Sequence, residues 1–345
     1  MKKYSILIVA LLTLWQGLAQ EKQITFTAVG DIMMGTSFPS VSYLPNKTTD
    51  PFAGVKEELL DTDILFGNHE GTLTDTGKNA KHCKDPSKCY SFKSPTWLAK
   101  NLETTGFDVM SIANNHIGDF GSTGIANTMK TLEQHGIEYA GVYSKPYTIF
   151  EKDSITYGFC AFAPNRDTPK LNQIQKAVAT VKKLKDLGAD IIIVSFHGGA
   201  EGSKHTHVTR KTEIFYGENR GNVYEFAHAM IDAGADIIVG HGPHVARAIE
   251  IYKDRFITYS LGNFCTYGRF SLSGVKGYAP IVKIKIDQEG KFISGKIISA
   301  KQKSRVYPYI DPESLAFKEI KRLTEADFPN SSLEFNEDGH FYLKQ

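Results

Sequence analysis

Apolar runs rich in Ile, Val, Leu and Phe recur along this chain, and each stops abruptly at glycine, carboxamide, acid or imidazole. Residues 23–29 run into Gly30-Asp31, 63–66 into Gly67-Asn68-His69-Glu70, and 107–113 into Asn114-Asn115-His116. Further on, 189–196 run into His197-Gly198 and 236–239 into Gly240-His241-Gly242-Pro243-His244. Short apolar runs bounded by such breakers read as buried strands. Segments with helical spacing lie between them: one opened by Asp50-Pro51 with Phe52, Val55 and Leu59, one opened by Ser94-Pro95 and closed near Gly106, then 122–135 closed by Gly136, 173–187, and 223–233. Strand and helix in alternation imply parallel strands with crossover helices. Hairpins are inserted as well, at 148–162, 248–260 and 281–298. A single doubly wound sheet has no need of them, so the chain is expected to form an α/β fold with two sheets and helices outside, a four-layer α/β/β/α sandwich.

With 345 residues, 41% hydrophobic and 23% charged, the chain can bury a large core without staples. Residues 1–20 read as a signal peptide, with Lys2 and Lys3, an apolar stretch over 6–15 and small residues at 17–19. That stretch is shorter than the roughly 20 residues of a spanning helix. Export, to the periplasm or outside the cell, is therefore expected. A main domain over 21–310 follows, then an extension over 311–345 with a helix capped by Asp311-Pro312 and a hairpin around Glu337-Asp338-Gly339. In an oxidising compartment Cys83 and Cys89, bracketing a short polar loop, are expected to pair, and Cys160 and Cys265 to be buried thiols. Forty basic residues against 38 acidic ones, scattered, exclude a general nucleic-acid binder.

Asp31, Glu70, Asn115, His116, His197, His241 and His244 all fall just past the ends of expected strands, the edge where α/β folds place chemistry. Carboxylate, carboxamide oxygen and imidazole without thiolate suit manganese, iron or zinc. Two such ions roughly 3.5–4 Å apart can share a bridging hydroxide and clamp the oxygens of an in-line displacement at phosphorus.

Gly30-Asp31-Ile32-Met33, Asn68-His69-Glu70-Gly71, Ala113-Asn114-Asn115-His116 with Asp119 and Gly121, His197-Gly198, Gly240-His241-Gly242-Pro243-His244-Val245 and Ser260-Leu261-Gly262-Asn263-Phe264 resemble the bacterial capsule-synthesis family associated with poly-γ-glutamate, a branch of the calcineurin-like metallophosphoesterases. The resemblance covers about 24–268. It implies a dinuclear centre in which Asp31, Glu70 (bridging), Asn115, His197, His241 and His244 are ligands. His116 would stay off the metal as proton donor, and Asp119 and Asn263 would support the ligands. It also implies a phosphoester or polyanionic cell-surface polymer as substrate and capsule-assembly membrane proteins as partners. A non-hydrolytic role in holding or exporting an acidic polymer is the alternative.

The chain departs from the family pattern at three places. His69 replaces the usual Leu, which opens a rival mapping with Asn68 as ligand and His69 as acid. Met33 stands where ordinary phosphoesterases have a histidine. Gly242 stands where many relatives have one, which leaves open whether His241 takes that place. Lys204, Arg210, Arg220 and Arg247 are the candidate anion contacts, with a solvated rim of surface charge as the equal alternative.

Overall fold

A computed structural model describes residues 23–81 and 89–344. The expected signal peptide and Cys83 lie outside the described residues. Cys89 is disulfide-bonded, and Cys160 and Cys265 are free and buried.

Two large sheets form the centre. A ten-stranded sheet runs Leu333–Phe335, His340–Leu343, Phe292–Lys303, Tyr278–Ile286, Ile24–Met33, Ile64–His69, Val109–Ser111, Glu138–Ala140, with Asn263–Thr266 pairing the first strand and Val306–Ile310 pairing Phe292–Lys303. A six-stranded sheet runs Ile249–Tyr252, Arg255–Thr258, Ile237–His241, Ile191–His197, Ile155–Phe162, Tyr147–Lys152. Phe26, Phe66 and Val109 of the larger sheet share one core with Phe159, Ile193 and Val239 of the smaller. The outer face of the larger sheet packs Leu59, Leu102 and Leu132 of helices Lys56–Leu60, Ala99–Thr105 and Gly121–Gln134. Helices Ile174–Asp186 and Val223–Asp232 cover the other sheet through Val181, Leu184 and Phe226. This is the expected α/β/β/α order.

One local device repeats in both sheets. Asp63, Asp108, Asp190 and Asp236 each stand just before a parallel strand, and each carboxylate accepts a backbone N–H of the neighbouring strand, from Thr25, Leu65, Thr156 and Ile192, at 2.7–2.8 Å. A strand's first residues lack ladder partners, so the acid satisfies them and sets the register.

Boundaries differ from expectation where tertiary packing decides. The first strand continues to Met33 and the second to His69, whereas the third shrinks to Val109–Ser111. The helix expected directly after Pro51 starts only at Lys56, because turns over 51–55 place Phe52 in a fully buried contact with Phe107 and Phe264. In the tail, His340–Leu343 pairs Phe292–Lys303, so the hairpin completes the main sheet. Asp311 ties helix Leu315–Asp327 in place by accepting from Glu313 N and Leu315 N and pairing with Lys301 at 2.6 Å. Asp311→Ala is expected to lower stability by about 1 kcal/mol or more, measured by urea unfolding at neutral pH.

Candidate metal centre

Strand alternation decides which side chains meet. On Ile64–His69, Ile64 and Phe66 lie in the core between the sheets and Leu65 lies under the outer helices. Asn68 therefore faces inward, and His69 faces outward beside its register partner Ile32, which belongs to the outer core. The rival mapping fails on this geometry at His69, its acid, which faces away from Asp31. His69 is fully buried, and desolvation lowers its pKa to about 4. Asn68 Nδ2 donates to Asp31 Oδ1 at 2.8 Å, and its Oδ1 accepts from Asn114 Nδ2 at 3.3 Å, so its amide is occupied.

Asp31 reaches the inner face through a bulge. On the first strand Phe26 and Ala28 point inward, and continued alternation would turn Asp31 outward, but the register slips between Ala28 and Asp31. Gly30 permits this: a Cβ there would lie 2.1 Å from Gly262 O, against which Asp31 N is bonded at 2.8 Å. By the same alternation Ile193 and Val239 face the core, so His197 and His241, paired across neighbouring strands, also face inward.

These residues converge. His244 Nδ1 lies 2.9 Å from Asp31 Oδ2, and its Nε2 3.5 Å from Glu70 Oε1. One ligand atom each from Asp31, Glu70 and His244 fit within 4.8 Å of one another. His241 Nδ1 lies 3.2 Å from Asp31 Oδ1 but out of line for a hydrogen bond, and the His197 ring is centred 6.1 Å from that of His244. His116 Nε2 stands 3.8 Å from Glu70 Oε1. Asn115 Oδ1 is buried. Asn263 Nδ2 donates to the carbonyls of His244 and Lys276, both at 3.1 Å, and so holds the turn that carries His244.

Electrostatics follow from this crowding. Burial pushes the Asp31 carboxyl up, but the imidazoles of His241 and His244 beside it overcome that and hold the group well below the usual carboxylate range. Glu70 is raised well above its ordinary value, first by burial and then by Asp31 and Glu201, against His244 and Lys81. Burial works against the His244 cation, yet Glu70 and Asp31 raise it to about 10. His197 is pushed well down, chiefly by burial.

Around His116 a second network forms. Asp119 Oδ2 lies 2.8 Å from His116 Nδ1, with Lys81 Nζ 3.1 Å from the same nitrogen; a carboxylate only accepts, which assigns the proton to Nδ1 and leaves Nε2 on the side of Glu70. Lys81 Nζ, 3.1 Å from Asp119 Oδ1, also donates to Asn115 O at 3.3 Å. Phe92 N–H donates to Asp119 Oδ2, and the Phe92 ring packs 4.2 Å from His116. Burial and Lys81 lower the His116 pKa, opposed by Asp119.

Sequence reasoning missed Asn68 in its supporting role, Lys81, Phe92 and Phe270, whose ring lies 5.0 Å from Phe92 and 5.5 Å from His244. Alternation along Ile64–His69 could have found Asn68; nothing local marks the other three. Two expected anion contacts are corrected. Arg247 is fully buried, bidentate to Glu213 at 2.8 Å and bonded to the His205 carbonyl. Arg220 is 2% exposed, bonded to Gly199 O and paired with Glu201 at 3.1 Å. Both brace the loop after His197 rather than face solvent. Gly242, at φ +116°, has Gly198 O 2.6 Å from where a Cβ would stand. Gly242→His is thus expected to destabilise the fold by about 2 kcal/mol or more instead of adding an imidazole, as a thermal melt would show.

Residues 25–267 match the family model described as bacterial capsule synthesis protein PGA_cap. The chain belongs to this family. The PGA_cap relatives include the capsule biosynthesis protein CapA of Bacillus anthracis, 30% identical over 265 residues, covering 71% of this chain and 60% of the relative. The PGA biosynthesis protein CapA of Bacillus subtilis is 31% identical over 253 residues, covering 68% and 61%. A protein of Mycobacterium tuberculosis named for accessory function in polyglutamine synthesis is 30% identical over 227 residues, covering 59% and 55%. The aligned chain thus spans about three-fifths of the length of the two Bacillus relatives. Similar solved structures include a phosphatase from Mycoplasma pneumoniae, with 14% identity, 86% and 97% coverage and a TM-score of 0.49. The calcineurin-like phosphoesterase YfkN from Bacillus subtilis gives 13%, 90% and 98%, with a TM-score of 0.45.

Proposed function

We propose that this PGA_cap protein is an exported, metal-dependent hydrolase linked to capsule or poly-γ-glutamate metabolism. One observation carries the reading: both carboxylate oxygens of Glu70, both ring nitrogens of His197 and of His241, and Asn115 Oδ1, all at or just past strand ends, are buried without a hydrogen-bond partner. Such groups are costly unless something satisfies them. Their chemistry suits one or two divalent ions, manganese, iron or zinc, and with Asp31 and His244 they would hold them. Bound there, such ions supply Lewis acidity and lower the pKa of water.

The chain's own groups account for the rest. Asp31 concentrates negative charge where cations would sit, the Glu70 carboxyl stands beside it, and Asn68 and Asn263 fix the residues around it. His116, held by Asp119, presents Nε2 to a leaving group. The Phe92 and Phe270 rings flank His116 and His244. Export is supported by the basic and apolar start of the chain and by the disulfide at Cys89. Processing of the N-terminus in the native host, read by mass spectrometry, tests it.

A second reading, an assembly factor that holds an acidic polymer without cleaving it, draws on the relatives' names and on Met33, a thioether on the face of Asp31 where phosphoesterases carry imidazole. Protein from Glu21 onward, loaded with manganese or zinc, is to be assayed on an aryl phosphate, a phosphodiester and poly-γ-glutamate. Turnover of any of them, lost in Glu70→Ala, supports the hydrolase. Polymer binding with no turnover of any substrate overturns it in favour of the second reading.

A further inference from the structure

The segment that leaves strand Asn263–Thr266 runs past the metal centre and is firmly held. Tyr267 N bonds Met33 O, the Tyr267 ring stacks on Tyr307, and Gly268 lies against Tyr43. Phe270 then turns toward Phe92 and His244. Its neighbour Arg269 is gripped between two rings, its guanidinium carbon 5.1 Å from the centre of Tyr43 and 4.8 Å from that of Tyr90. Arg305 shares the Tyr43 ring at 5.6 Å, and Lys276 stands nearby on Ser271.

Stacking occupies the faces of a guanidinium and leaves its edge of N–H donors unused. Arg269 Nε is buried without a partner, and among the described residues Arg269 forms no ion pair. Arg220 and Arg247, by contrast, are paired internally with Glu201 and Glu213. A guanidinium fixed by two rings, without an ion pair among the described residues and one residue from Phe270 at the metal centre, suits a carboxylate or phosphate.

We propose that Arg269, cradled by Tyr43 and Tyr90 and assisted by Arg305, is an anion subsite that grips a further charged unit of a polyanionic chain whose neighbouring unit lies at the metal centre. The inference rests on the proposed polymer substrate and extends it from one reacting group to a tract. An isolated small ester would not reach this subsite, whereas a polymer with a charge on every unit would engage both places at once.

The test reads binding, so it is independent of turnover. Fluorescence anisotropy of full-length mature protein with labelled poly-γ-glutamate, and with polyphosphate of equal charge, is compared for wild type, Arg269→Gln, Arg269→Lys and Arg305→Gln, with metal content and circular dichroism recorded for each. Arg269→Gln should weaken binding of the preferred polymer about tenfold at unchanged metal content, Arg269→Lys should fall between, and Arg305→Gln should lose about threefold. Preference for one polymer identifies the anion as carboxylate or phosphate. Should Arg269→Gln not fold, Arg269→Lys decides, since it keeps the charge and removes the fork. Equal affinity in the folded Arg269 variants, or no binding of either polymer by wild type, overturns the subsite. Absence of turnover with binding and its Arg269 dependence intact would instead overturn only the hydrolase.

Discussion

Addition of manganese or zinc to the chelated protein should raise its melting temperature by roughly 5 °C when free metal is about a hundredfold above Kd, a stabilisation of about 2.7 kcal/mol. The expectation rests on the partnerless groups of Glu70, His197 and His241, which the protein alone leaves unsatisfied. Glu70→Gln is the informative variant. Burial together with Asp31 already favours the neutral Glu70 carboxyl, so an isosteric amide should change the melting temperature of the chelated protein little. It should, however, weaken metal binding on the order of a hundredfold and remove the thermal response. Metal content after gel filtration, by mass spectrometry, checks the same point without an activity assay. A melting temperature indifferent to every divalent ion would remove the metal centre from the account.

Much of the site was legible because strand ends are where a parallel sheet exposes backbone and side chains together. Asp31, Glu70, His197, His241 and His244 could each be placed from an apolar run and the residue that stops it. What decided between Asn115-His116 and the Asn68-His69 pair was parity at His69, since Phe66 and Leu65 face opposite cores and His69 lies on the side of Leu65. That signal is present in the sequence, but only once the strand is known to run unbroken to His69. For Asp31 the same rule would have misled, because the bulge at Gly30 reverses it. Gly262, just before strand Asn263–Thr266 and more than two hundred residues away, packs against Gly30 at that bulge, and no local pattern records it. Lys81 and Phe92 come from opposite sides of the cysteine loop and Phe270 from the loop after strand Asn263–Thr266; their meeting is a property of the assembled fold. The buried arginines show the converse. Arg220 and Arg247 read as surface charge because composition cannot reveal that Glu201 and Glu213 are folded onto them.

His116→Ala should retain its metal yet lose about 10²- to 10⁴-fold in kcat on esters with poor leaving groups. Nδ1 being held by Asp119, the only nitrogen that can serve the reaction is Nε2, on the Glu70 side. A proton delivered there assists a departing alkoxide strongly and a departing nitrophenolate hardly at all, so the loss should shrink as the leaving group becomes more acidic. A series of aryl and alkyl phosphates, run on wild type and variant under identical metal loading, measures this slope. The direction of the His116 pKa sharpens the expectation: burial and Lys81 favour the neutral ring, and only the imidazolium carries a proton on Nε2 while Asp119 keeps the other. Turnover of poor leaving groups by wild type should therefore decline as pH rises, and Lys81→Met, which removes the opposing charge, should carry that decline to higher pH. Losses equal for every leaving group would assign His116 to charge stabilisation or positioning instead of proton transfer.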